Sequence, residues 1–242
     1  MKMPSTSAIV TLLFLTSVHC KDVSEQREET RLLHKPPVEE APSRARPQLD
    51  TLPFYDDASF TPKWLGDNPG ELAAFHTIPA FTLTNQNGED VTEATFKDKI
   101  YVADFFFTTC PGICLTMTQS MSQLQDNFKA DDEVLFLSHS VTPTKDTPAV
   151  LKSYAEAHGA ISGKWHMVTG ERSTIYGLGR QQYFAEEDLG KEKSEDDFLH
   201  TENFLLIDRN RHIRGIYNGL NKTDIRQLTA DIKLLKREAH IN

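Results

Sequence analysis

Residues 105–117 read FFFTTCPGICLTM, and this stretch decides how the chain is organised. The chain has three cysteines, and two of them, Cys110 and Cys114, stand here with Pro111, Gly112 and Ile113 between them. They follow IYVADFFF (100–107), the near-continuous apolar run of a strand covered on both faces. Asp104 is the odd member of that run and reads as lying near a sheet end. Beyond the cysteines, Met117, Met121, Leu124 and Phe128 recur at helical spacing.

The pattern continues outward. Ile78–Leu83 reads as a strand, with Asn87-Gly88 as a hairpin turn. Glu133–Ser138 (EVLFLS) reads as a second buried strand. Asp146-Thr147-Pro148 opens a helix with a capping side chain and a first-turn proline, lined by Val150, Leu151 and Tyr154 and ended by Gly159. Trp165–Val168 is a short strand and Ser173–Tyr183 a short helix. Ala185–Asp197 is an acidic surface excursion. Phe198–Asp208 and Ile213–Tyr217 pair across a polar turn at Arg209–Arg211. Ile225, Leu228, Ile232 and Leu235 line a last amphipathic helix. These elements give an α/β layered domain over 71–242. The order strand, cysteine loop, helix is that of thioredoxin-like folds, here with an extra N-terminal segment and an inserted acidic loop.

The N-terminus opens with Lys2 and an apolar run, Ala8–Val18, too short to span a bilayer. Residues 1–19 read as a signal peptide. Cys20 is then either the lipidated first residue of a bacterial lipoprotein or, after ordinary cleavage, lost or left as a stray thiol, and the lipoprotein is preferred. Ser17 and His19 depart from the usual lipobox. Residues 21–50 carry four prolines and no aromatics and cannot bury a core, so 20–70 reads as a lipidated tether followed by an aromatic segment, LPFYDDASFTPKW (52–64). The expected location is the cell envelope, on a membrane facing the periplasm. A net charge of −9 with no long Lys/Arg patch argues against nucleic acid as a partner.

Export leaves Cys110 and Cys114 as a disulfide, a redox pair or a metal site. A bridge over three residues closes too small a loop to stabilise the fold much. At a helix N-terminus free amides favour thiolates, which makes the pair reactive and a good soft-metal donor, for copper(I), or for zinc if more ligands close the shell. Of nine histidines, His19, His34, His76, His158, His166, His212 and His240 read as surface or packing residues. His139, at the end of EVLFLS on the same active edge, and His200, in FLHTENFLLID, remain as third donors, and periodicity does not separate them.

FFFTTCPGIC, KDTPAVLKSYAEAHG, KWHMVTG and LHTENFLLID, in that order, resemble the Sco (SenC/PrrC) family of copper proteins, over roughly residues 70–240. The resemblance implies copper ligands at Cys110, Cys114 and His200, and gives His139 no ligand role. It implies a metallochaperone, with Cys110 and Cys114 also a redox pair. The chaperone would carry copper(I) or copper(II) to the copper-site subunit of cytochrome c oxidase. A copper donor or thiol reductase would be a further partner. Leu115 replaces a family proline, Thr142 a frequent Asp, and Arg209 a common Pro; none is a ligand position. The second class of function is a thiol-disulfide oxidoreductase without copper delivery.

Overall fold

The chain's apolar runs become a seven-stranded sheet in the structure, a computed structural model that describes residues 51–65, 69–186 and 199–238. The signal peptide, Cys20, the tether up to Asp50, His19, His34, His240, residues 187–197 of the acidic excursion and Phe198 lie outside the described residues.

The strands are β1 Thr82–Asn85, β2 Asp90–Thr92, β3 Ile100–Phe106, β4 Val134–Ser140, β5 Trp165–Thr169, β6 Asn203–Ile207 and β7 Ile213–Asn218. Their order across the sheet is β2-β1-β5-β4-β3-β6-β7. β3, β4 and β5 run parallel, while β1 joins β5, and β6 joins β3, antiparallel. The helices are α1 Pro69–Ala73, α2 Ile113–Phe128, α3 Pro148–Ala157, α4 Arg172–Gly177 and α5 Lys222–Glu238.

Strand alternation sorts the core into two layers. Ile100, Val102 and Phe106 face a layer with Met117, Met121 and Leu124 of α2, Leu151 of α3 and Leu228 and Ile232 of α5. Tyr101, Ala103 and Phe105 face the other, with Ile175 and Tyr176 of α4, Phe96 and Tyr183. Both faces are covered, which is why IYVADFFF has no polar alternation.

Several boundaries differ from the sequence reading. The first strand starts at Thr82, because Ile78 is spent on the core and its amide bonds Arg211 O at 2.9 Å. The Asn87-Gly88 turn forms as expected: Gly88 takes φ +78°, and Asn85 Oδ1 accepts from the amides of Asn87 and Glu89. β4 runs to Ser140, so His139 lies inside the strand and not at its edge. Asp104 is likewise interior, opposite Ser138, and fully buried. The cap of α3 is Thr147, whose hydroxyl accepts from the Val150 amide, and Val150 itself is exposed. The helix after β5 ends at Gly177 and continues as a wider π turn, Leu178–Gln182. The last strand pair begins only at Asn203. The acidic excursion does not start at the surface: Ala185 is wholly buried, and its carbonyl accepts from Thr201 Oγ1 and Asn203 Nδ2. The aromatic segment packs on the sheet as expected, with Tyr55 bridged to Ile213 and Phe54 to Lys63.

Candidate metal and thiol centre

β3 ends at Phe106 and α2 starts at Ile113, so the cysteine loop lies between a strand's C-terminal end and a helix N-terminus. Gly112 caps α2 without a side chain, leaving the first amides of the helix unclaimed by any capping group. They serve the thiol instead. Burial raises the pKa of Cys110, but the amides of Cys114, Gly112 and Ile113 and the neighbouring Cys114 thiol outweigh it and hold Cys110 below the ordinary thiol value. Cys114 behaves oppositely. Burial pushes its thiol up, the Phe107 amide opposes this, and Cys110 and Asp104 push it further up. Both are free thiols, Cys110 half-buried and Cys114 buried.

The loop is held from below by Asp146. This carboxylate is fully buried and accepts four hydrogen bonds: from the Thr108 amide (3.2 Å), Thr108 Oγ1 (2.5 Å), Ser140 Oγ (2.6 Å) and Thr142 Oγ1 (2.9 Å). Sequence reasoning took Asp146 for part of the helix cap. Its real task was readable in one respect: Thr147 already supplies a cap before Pro148, which leaves Asp146 for something else.

Beneath Cys114 lies a buried polar pair. Burial raises the Asp104 carboxyl to about 7, against a hydrogen bond from Ser138, whose hydroxyl also accepts from Trp165 Nε1 at 2.9 Å. Asp104 Oδ1 has no partner. Tyr154 reaches over from α3 to Thr118 Oγ1 at 2.9 Å and closes the same end. Asp104, Ser138 and Tyr154 were not singled out as site residues from sequence.

The two candidate histidines part company. His139 is fully buried on the face opposite α2, its ring stacked on Phe105 with centroids 4.6 Å apart. Burial lowers it to about 4. It does not reach the cysteine edge, which corrects its placement there from sequence. His200 is at the cysteine end: it precedes β6, which pairs antiparallel with β3 from Tyr101↔Ile207 to Ala103↔Leu205, so the start of β6 lies toward the end of β3 that leads into the cysteine loop. His200 is exposed, and its amide donates to Glu186 Oε1 at 3.0 Å. Among the described residues, no three His, Cys, Asp or Glu side chains come together closely enough to hold a metal ion. The structure therefore joins the two sulfurs and sets His200 at the same sheet end, outside a three-donor cluster. Two thiols, one of them with a lowered pKa, suit a soft monovalent cation, which tolerates low coordination.

A parallel-centred α/β sheet with a thiol pair at the strand–helix junction defines a thioredoxin-like thiol protein. The model of the SCO1/SenC family matches residues 70–237, and the chain belongs to that family. Among the solved structures similar to it are three Sco-family proteins. A SCO1/SenC family lipoprotein from Bacillus anthracis is 29% identical with a TM-score of 0.59, covering 66% of this chain and 95% of that one. BsSco, described with a disulfide switch and as a member of the Sco family of cytochrome c oxidase assembly proteins, is 31% identical with a TM-score of 0.56, covering 65% and 92%. ScoI of Bradyrhizobium japonicum, solved with copper bound, is 26% identical with a TM-score of 0.52, covering 66% and 99%.

Proposed function

We propose that this protein is an exported copper carrier that delivers its ion to the copper-site subunit of cytochrome c oxidase. The observation that carries the reading is the free Cys110–Cys114 pair at the N-terminus of α2. Its family membership and the copper held by ScoI of B. japonicum support it. Copper is the cargo. Cys110 and Cys114 hold copper(I) through their thiolates, and His200 adds a nitrogen donor, which copper(II) needs more than copper(I) does. Cargo exchange is favoured by the exposed rim of the site, where Cys110 and His200 are reached before Cys114. Lipid on Cys20 and the tether beyond it would keep the domain at a membrane facing the periplasm.

A second reading has its own support in the unequal thiols. The Cys110 thiolate attacks a partner's disulfide, forming a mixed disulfide and releasing one partner thiolate, which takes up a proton. Cys114 then loses its proton and attacks the Cys110 sulfur. The second partner thiol leaves, and the pair ends as a disulfide with two electrons passed to the partner. The two readings coexist, because copper loading requires reduced thiols.

Metal analysis of the reduced protein tests the first. We expect about one copper per chain, abolished by Cys110→Ser or Cys114→Ser. In His200→Ala the copper(II) spectrum is lost, while copper(I) is partly kept and the pair still oxidises. Copper content unchanged in both cysteine variants sinks the carrier. A copper(II) spectrum kept in His200→Ala but lost in His139→Ala transfers the third donor to His139. Mass spectrometry of the mature N-terminus tests the anchor: a first residue other than a modified Cys20 removes it.

A further inference from the structure

α5 is charged on both sides, but the signs are segregated. At about 100° per residue, Asp224, Asp231 and Glu238 fall within an arc of about 40° on one side, and Lys222, Arg226, Lys233 and Arg237 within about 60° on the other. The acids face the fold and are engaged there. Asp224 accepts from the Asn218 amide at 2.9 Å. Asp231 accepts from Tyr217 OH at 2.7 Å and from Gln227. Glu238 accepts from Arg214 at 2.8 Å and from the Leu52 amide at 2.6 Å. The four basic side chains are exposed, with Ala230 the fifth member of their row, and none forms an ion pair among the described residues. Among the described residues, Arg226 bonds only the Thr223 hydroxyl. The row is about 22 Å long, on a chain whose net charge is −9.

At its far end the row opens into a recess of about 460 Å³ lined by Asn127, Phe128, Asp131, Lys233, Lys236 and Arg237. Asp131 is the carboxylate there, and Lys236 neutralises it, so the recess has a net positive lining. The neighbouring exposed face of α2 carries Gln119, Gln123 and Asn127, with Asp126 as its acid.

We propose that this face of the protein, the outward row of α5 and the recess at its end, docks on the headgroups of an anionic phospholipid surface. Charge complementarity is the first argument. The second is where the chain enters the fold: the Leu52 amide is bonded to Glu238, the residue after Arg237. The described chain thus begins, at Thr51, by the basic end of α5, with residues 21–50 before it. Whatever their conformation, thirty residues span at most about 100 Å. Any surface that holds the segment's other end lies within range of the row. The one apolar side chain on the row is the single methyl of Ala230, so the contact is electrostatic and peripheral, with no insertion. The inference goes beyond the copper reading and stands whether or not Cys20 carries lipid.

The test uses the chain from Lys21 onward, which keeps every described residue and lacks the apolar segment and Cys20. Its sedimentation with phosphatidylcholine vesicles is compared with that on vesicles also containing phosphatidylglycerol. We expect binding to the anionic vesicles alone, weakening as salt rises. Each basic residue near such a surface is worth about five-fold in partitioning, so R226E/K233E/R237E should lose on the order of a hundred-fold or more. The neutral variant R226Q/K233Q/R237Q should lose about as much as three charges predict. The variant K97E/K145E/K152E makes the same change of net charge at exposed sites off α5 and should bind like the parent. No preference for phosphatidylglycerol, binding undiminished in the α5 variants, or equal loss in the off-helix variant overturns the proposal. So does release by millimolar inorganic phosphate at constant ionic strength, which would reduce the site to a pocket for a single anion.

Discussion

His139 donates through Nδ1 to the backbone carbonyl of Asp104 at 3.2 Å, joining two fully buried titratable residues on adjacent parallel strands. Their side chains point to opposite faces of the sheet, and each keeps one buried atom without a partner, Asp104 Oδ1 and His139 Nε2. Burial acts on both in the same sense, against charge. It raises Asp104 from 3.8 to about 7 and lowers His139 from 6.5 to about 4.

The pair should therefore cancel in pH dependence. Folded Asp104 keeps a proton that the unfolded chain gives up above pH 3.8. Its contribution is full at lower pH and is lost as pH rises through about 7. Folded His139 refuses a proton that the unfolded chain takes up below pH 6.5. Its contribution is full above that and is lost as pH falls through about 4. Between these limits each slope is worth about 1.4 kcal/mol per pH unit, with opposite signs. Asp104→Asn should leave a protein that loses stability on acidification from pH 6.5 to 4. His139→Phe, which preserves the stack on Phe105, should leave one that loses stability as pH rises from 4 to 7. Urea midpoints across this range measure both, and parallel profiles for parent and variants would refute the cancellation.

The thiols should differ in reactivity. The thiolate is the nucleophile, and at neutral pH Cys110, half-buried and served by three amides, offers far more of it than buried Cys114. Alkylation of the reduced protein with iodoacetamide, followed by peptide mapping, should modify Cys110 at least about ten-fold faster. Equal rates would mean that the α2 amides do not favour one sulfur.

Asp146 should control that asymmetry from a distance. Asp146→Ala removes an acceptor from four donors at once and should destabilise by about 2–4 kcal/mol. Because Thr108 then loses its hold, the cysteine loop should also lose its alignment with the helix amides, and the rate difference between Cys110 and Cys114 should shrink. Thr147→Ala supplies the comparison: it loses the α3 cap, about 1 kcal/mol, without touching Thr108. If both variants narrow the rate difference equally, Asp146 acts only through general stability.

The apolar runs made the layered core legible, because both sheet faces are covered and the run in β3 is broken only by Asp104, that in β4 only after Leu137. The thiol pair was legible because its neighbours are a strand and a helix. The polar residues beneath it were not. Asp104 looked like a strand-end residue, since a carboxyl costs most in a sheet interior, and only the tertiary packing that raises its pKa makes that position tenable. Asp146 looked like a cap because helix caps are local signals, whereas its bond to Thr108 spans 38 residues. Periodicity did not separate His139 from His200; only the resemblance to the Sco family did. In the structure, strand length and direction separate them, His139 falling inside β4 and His200 ahead of β6 at the sheet end that leads into the cysteine loop.

The last prediction concerns how the aromatic segment is fastened. Arg214 on β7 is buried and binds Asp208 (3.2 Å) and Glu238 (2.8 Å), and donates to the carbonyls of Pro53 (3.1 Å) and Leu52 (2.8 Å). Its guanidinium also lies 3.9 Å from the centre of the Phe54 ring. One planar group thus ties β6, the end of α5 and the segment at 52–54 together, and its fork of donors is what allows this. Arg214→Met fills much of the volume but leaves Asp208, itself buried, without its main cation, since His212 beside it is a cation only when protonated. A loss of about 3–5 kcal/mol is expected. Arg214→Lys should recover little of it, because a single ammonium cannot serve two carbonyls and two carboxylates. Glu238→Gln keeps one of the two accepting oxygens, since the Leu52 amide uses Oε1 and Arg214 uses Oε2, so one donor then faces an NH2 group, and the cost should be about 1–3 kcal/mol. The sharper readout is local. In Arg214→Met, limited proteolysis should cut within residues 51–65 well before the sheet unfolds, whereas in the parent the two should coincide. Resistance of that segment in Arg214→Met, with stability reduced as expected, would show that Tyr55 and its bridge to Ile213 hold the segment without the arginine.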